Sequence, residues 1–87
     1  MAPTANAAMV MPAYSPARFS ARVGVPVVWF NQDPTTHTVT SVNGSTELNS
    51  PYIVSGETFT HTFTVAGTYD YYCTIHPMMR GTVAVTP

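Results

Sequence analysis

The chain has 87 residues, 45% of them hydrophobic and only 8% charged, with a formal net charge of −1. That length makes one domain with a modest core, and that charge offers nothing to attract nucleic acid or an anionic membrane. The single cysteine excludes an internal disulfide and any zinc site needing several thiolates, and the longest apolar run falls far short of a transmembrane segment. In chain order, residues 1–8 are small and polar and are expected to form a flexible N-terminal segment ahead of a single domain over residues 9–87. "MAPTANAAMV" has no basic start followed by an apolar stretch, so no signal peptide is visible. A mature form whose leader was removed and a domain cut from something longer are both open.

The next segments read as strands. "RFSARVGVPVVWFN" alternates Phe19, Ala21 and Val23, then Val25, Val27 and Trp29, across a break at Gly24, which predicts two half-buried strands around a turn. "HTVTSV" alternates His37, Val39 and Ser41, and "NGSTELNSP" is a loop by its Asn, Gly, Ser and Pro content. "TFTHTFTV" places Phe59, His61, Phe63 and Val65 on one face and threonines on the other. "YDYYC" and "GTVAVT" supply the last two strands, with Tyr69, Tyr71 and Cys73 in phase, then Val83 and Val85. Helix signals are absent. Short alternating strands with regular turn signals predict an all-β sandwich or barrel.

Chemistry concentrates in "YYCTIHPMMRG". Cys73, His76 and Met79 are each three residues apart between two strands. A thiolate, an imidazole and a thioether in one tight loop form a soft ligand set that suits copper. A trigonal site needs a second histidine, and His37, at the start of a strand after the turn-rich "NQDPTT", is the obvious donor. His₂Cys with a weak axial sulfur is the type 1, or blue, copper arrangement. Met78 is the alternative axial ligand on spacing alone. Each residue also has an ordinary structural reading: a lone buried cysteine is commonly a small core hydrophobe, and an isolated His37 would be a surface or capping residue. His61 reads as a partly buried imidazole near a sheet edge, against the sharper readings of a second metal ligand or a pH switch. Met9 and Met11 fit either a copper-loading strip or the alternation of a first strand, and Trp29 reads as core packing.

The segments "VVWFNQDPTTHTV", "GTYDYYC" and "CTIHPMMRGTVAV" together resemble the cupredoxins, the type 1 copper proteins of the amicyanin and plastocyanin kind. The resemblance runs from about Val10 onward and implies a Greek-key β-sandwich with one copper ion at one end. On its ligand-loop spacing Met79 matches the axial methionine. Thr38 stands where such proteins usually carry Asn after the first histidine, and it is expected to pair by its hydroxyl with Thr74. Ile75 stands where proline is common, so its backbone N–H is a second expected donor to the Cys73 sulfur, beside that of Thr38. Such donors stabilise the thiolate and raise the reduction potential.

The function so implied is electron transfer between redox partners, with copper cycling between Cu(I) and Cu(II) and no enzymatic reaction. Two alternatives stand beside it: a copper chaperone or storage domain, and a small-molecule redox site with an open axial position. A covalent Cys-His enzyme fits poorly, since nothing orients the histidine as a base. Redox partners are expected to dock on an apolar patch at His76 and Met78, with a second route through Tyr72. The expected setting is a monomer in the periplasm or the extracellular space.

Overall fold

The computed structural model describes residues 5–87. Eight strands form two four-stranded sheets. The first sheet has the order β2-β1-β4-β6, from β1 (Ala7–Val10), β2 (Ala13–Ser15), β4 (Pro26–Asn31) and β6 (Thr58–Thr62). The second has the order β3-β8-β7-β5, from β3 (Arg18–Arg22), β8 (Arg80–Thr86), β7 (Gly67–Tyr72) and β5 (Thr40–Ser41). Two pairings are parallel, β1 with β4 and β3 with β8, and the others are antiparallel. From β3 to β7 each successive strand changes sheet, so the connections wrap the sandwich and bring distant loops to one end.

Alternation decides which side chains face inward. Val27 and Trp29 of β4, Tyr71 of β7, and Val83 and Val85 of β8 are buried in one cluster with Met9, Tyr14 and Phe63. Trp29 lies at its centre, with the Tyr71 ring edge-on at 5.5 Å, Phe59 at 5.8 Å and Phe19 at 6.0 Å. Fully burying an apolar side chain of this kind contributes roughly 1.5–3 kcal/mol. Gly81 is where the strand must be bare. It pairs with Tyr71 across β7 and β8, and a Cβ there would lie 2.5 Å from the Tyr71 ring.

The structure departs from the sequence expectations at several points. Of the expected flexible segment 1–8, residues 1–4 lie outside the described residues, while Ala7 and Ala8 are already paired in β1. Met9 is fully buried and Met11 is exposed beyond the end of β1, so the two do not line a common strip. Only Thr40 and Ser41 of the predicted strand "HTVTSV" are in the ladder, and His37 is held by an isolated bridge to Ile53. Val65 does not continue the inward face of β6: that strand ends at Thr62, and Val65 is 65% exposed. His61 sits on the edge strand β6, its Nε2 2.6 Å from Glu47 Oε2 and its ring edge-on to Phe63 at 4.7 Å.

Candidate metal centre

Two loops meet at one end of the sandwich. The first runs from β4 to β5 and is organised by Asn31, a fully buried polar residue. Its side-chain amide donates to the carbonyls of Thr35 and Ile53, and its oxygen accepts from the Asp33 N–H, each at 2.8–2.9 Å. A buried amide so satisfied fixes the chain around it, because any other path would strand its polar groups. That frame delivers His37 into the interior at 0% exposure.

The second loop joins β7 to β8. The Met79 N–H donates to the His76 carbonyl at 2.8 Å, and the Cys73 N–H donates to the Met79 carbonyl at 3.0 Å. The first bond closes a tight turn with Pro77 and Met78 at its centre, where proline's fixed φ favours it. Met78 is thereby thrown to the surface at 89% exposure while Met79 is drawn inside at 1%.

The loops converge on the Cys73 sulfur. His37 Nδ1 and His76 Nδ1 each lie 3.7 Å from Sγ, and the three ligand atoms are all within 4.8 Å of one another. First-row ion bonds of about 2.3 Å to thiolate and about 2.0 Å to imidazole, set 120° apart, require a sulfur–nitrogen separation of about 3.7 Å. A thiol proton can satisfy only one nitrogen lone pair, so this triangle is better matched to a cation than to itself. Among the described residues it is the only such cluster of His, Cys, Asp and Glu, and His61 is not in it.

The surroundings orient these groups. Asp33 Oδ2 lies 2.8 Å from His37 Nε2 and accepts from the Thr35 hydroxyl at 2.8 Å and the Met11 N–H at 3.1 Å. The hydrogen bond with His37, then that of Thr35, holds the Asp33 carboxyl below its ordinary range. An ionised carboxylate only accepts, so the His37 proton stays on Nε2 and the Nδ1 lone pair faces the sulfur. The Thr38 N–H donates to Sγ at 3.4 Å. The Thr38 hydroxyl meets that of Thr74 at 3.3 Å and accepts from the Thr74 N–H at 3.0 Å, tying the two loops as expected. The Ile75 N–H makes no such bond to sulfur among the described residues; the backbone donor at Sγ is Thr38, and the two imidazole nitrogens lie beside the sulfur at 3.7 Å. Ile75 lies in the bend after β7 and is exposed at the surface, whereas the thiol is buried.

Two supporting residues escaped the sequence reading. Asp33 carried a readable signal, a carboxylate four positions before His37. Tyr14 carried none. Its hydroxyl, on β2, donates to the Thr38 carbonyl at 2.6 Å. Burial, and next the nearby Cys73, push that hydroxyl far above its ordinary pKa. The Tyr71 hydroxyl is pushed up to about 12, chiefly by burial.

Residues 3–86 match the family of copper binding proteins described as plastocyanin/azurin. Amicyanin of Paracoccus denitrificans is 40% identical over 75 residues, covering 83% of this chain and 57% of its own. Amicyanin-alpha of Methylorubrum extorquens is 36% identical over 67 residues, covering 74% and 56%. The chain thus spans less than two thirds of the length of these relatives. A purple cupredoxin from Nitrosopumilus maritimus superposes with a TM-score of 0.81 at 32% identity, over 93% of this chain and 100% of that one.

Proposed function

Because the chain belongs to the plastocyanin/azurin family of copper-binding proteins, we propose that it is a type 1 copper electron carrier, with no catalysed reaction of its own. His37, Cys73, His76 and Met79 are the residues that would hold the copper ion. The observation that carries the reading is the Cys73 sulfur set 3.7 Å from an imidazole nitrogen on either side. Met79 is preferred over Met78 because a ligand enclosed by the protein must be buried, and only Met79 is.

Copper bound there supplies a single electron as it cycles between Cu(I) and Cu(II). The protein's part is to keep the donor set in place through that change. His37 is locked by Asp33 and the Asn31 frame, Cys73 by Thr38, and the His76–Met79 turn by its own backbone bonds. The Thr38 N–H stabilises charge on the sulfur and so favours the reduced state. Nothing in the family or the fold favours the chaperone alternative, and the burial of Met79 argues against an open axial position.

Partners are redox proteins that dock where His76 reaches the surface. A concavity of about 270 Å³ lies there, lined by Met11, Ile75, His76, Pro77, Met78 and Met79 among others. Such a patch favours short-lived apolar contact with little dependence on salt. Tyr72, half-buried beneath the Arg80 guanidinium at 5.7 Å, is the second route outward. A monomer working in the periplasm or the extracellular space is the setting that fits this reading.

The test is optical. One equivalent of Cu(II) added to the apo protein should produce an intense visible thiolate-to-copper band with reversible redox behaviour. Cys73→Ala should abolish the band, and colour retained in that variant would refute the assignment.

A further inference from the structure

His37 and Cys73 are fully buried and Met79 is nearly so, which leaves the half-buried His76 as the route by which an ion reaches the ligands. That route opens into the apolar concavity, and its rim is unusual in chemistry. Met78 is 89% exposed and Met11 is 47% exposed, and both line it. Met11 is no loose end, because its backbone N–H is bound to Asp33 Oδ2, the same oxygen that orients His37. Among the described residues, none of those lining the concavity carries a carboxylate or hydroxyl side chain. The floor is His76 and Met79, two of the groups assigned above to copper.

We propose that Met11 and Met78 form an entry station that takes up Cu(I) through their thioether sulfurs before it passes to the buried ligands. This inference rests on the copper reading above and adds a site that acts only during loading. Thioethers are soft, neutral donors that select Cu(I), whereas hard cations seek oxygen ligands that this lining does not offer. They bind weakly enough to release the ion inward, where a thiolate and two imidazoles hold it better. Met11 and Met78 displace labile ligands from incoming Cu(I), and no proton moves at that stage. On transfer the Cys73 thiol gives its proton to solvent and the sulfur binds the ion. The oxidation state is unchanged throughout, so no oxidant or reductant is required.

Leucine is the discriminating substitution, since it keeps the apolar volume and removes only the sulfur. Anaerobic stopped-flow mixing of apo protein with Cu(I)–bicinchoninate should show slower copper uptake in Met11→Leu and Met78→Leu, by a few-fold each. The double variant should be slower by about tenfold or more, as expected when both soft donors of one station are lost. Equilibrium affinity and one-to-one stoichiometry should match the parent. Ag(I) titrated into Cys73→Ala should shift the methyl resonances of Met11 and Met78 together. Parental loading rates in the double variant, or unmoved Met11 and Met78 resonances, would overturn the entry station while leaving the copper site standing. A parent protein that takes up no Cu(I) at all would overturn both.

Discussion

The Tyr14 hydroxyl donates to the Thr38 carbonyl at 2.6 Å, and the N–H of Thr38 donates to the Cys73 sulfur at 3.4 Å. A residue of the β1–β2 hairpin in one sheet therefore holds the stretch of backbone that tunes the thiolate beside the other. Tyr14→Phe keeps the ring packed edge-on against Tyr71 at 4.8 Å and removes only the donor. Leaving a buried carbonyl unpaired costs about 1–3 kcal/mol. The apo Tm should fall by roughly 4–24 °C on the usual scaling for a domain of this size. The copper protein should also show a lower reduction potential, as the Thr38 donor loosens. An unchanged Tm would mean that water replaces the hydroxyl.

Asp33→Ala removes the acceptor that fixes the proton on His37 Nε2. Losing such an orienting carboxylate typically weakens metal binding about 10–100-fold. Competition with a chelator of known affinity measures the loss. An affinity equal to the parent's would show that the Asn31 frame alone suffices to aim the ring.

Met79→Leu should retain copper and raise the reduction potential, because a weak axial donor that favours Cu(II) is gone. Met78→Leu should leave the potential where it was, its side chain being 89% exposed. Voltammetry of the two variants separates them, and the reverse pattern would exchange the roles of the two methionines.

Met78→Lys and Tyr72→Lys probe the exit for electrons. Self-exchange requires two identical patches to meet, so a charge placed at the true port should slow it by an order of magnitude or more through repulsion at contact. Met78→Lys is expected to do so with the visible spectrum unchanged, and Tyr72→Lys to have the smaller effect. Exchange at the parental rate in Met78→Lys would move the port elsewhere.

The cluster of the proposed ligands was legible because Cys73, His76 and Met79 bring rare soft side chains into one short run between two strands, and His37 because so few other donors exist. Trp29, Phe59, Phe63, Val83 and Val85 were legible from alternation. The hairpin of β1 and β2 was not, since Ala7 and Ala8 carry too little hydrophobic contrast to mark a face. His37 looked like a strand residue because its neighbours alternate, yet Asn31 draws the preceding chain aside and leaves only Thr40 and Ser41 to pair in β5. The Asp33 and Tyr14 contacts depend on how loops cross between sheets, which periodicity along a single strand does not encode.

The strand that follows the ligand loop is also the one that joins two distant parts of the chain. β8 pairs with β7 next to it and, in parallel, with β3, placing Arg18 beside Thr82 and Arg22 beside Thr86. During folding, β3 cannot enter its sheet until β8 has docked, and pairings of such sequence separation are slow to form. Until then the Cys73 thiol lies open to solvent and to any oxidant present. Its safety is thus a race between closure of the sheet and chemistry on the sulfur. A change in β8 far from the ligands could lower the yield of active protein through oxidised thiol while leaving the finished site untouched.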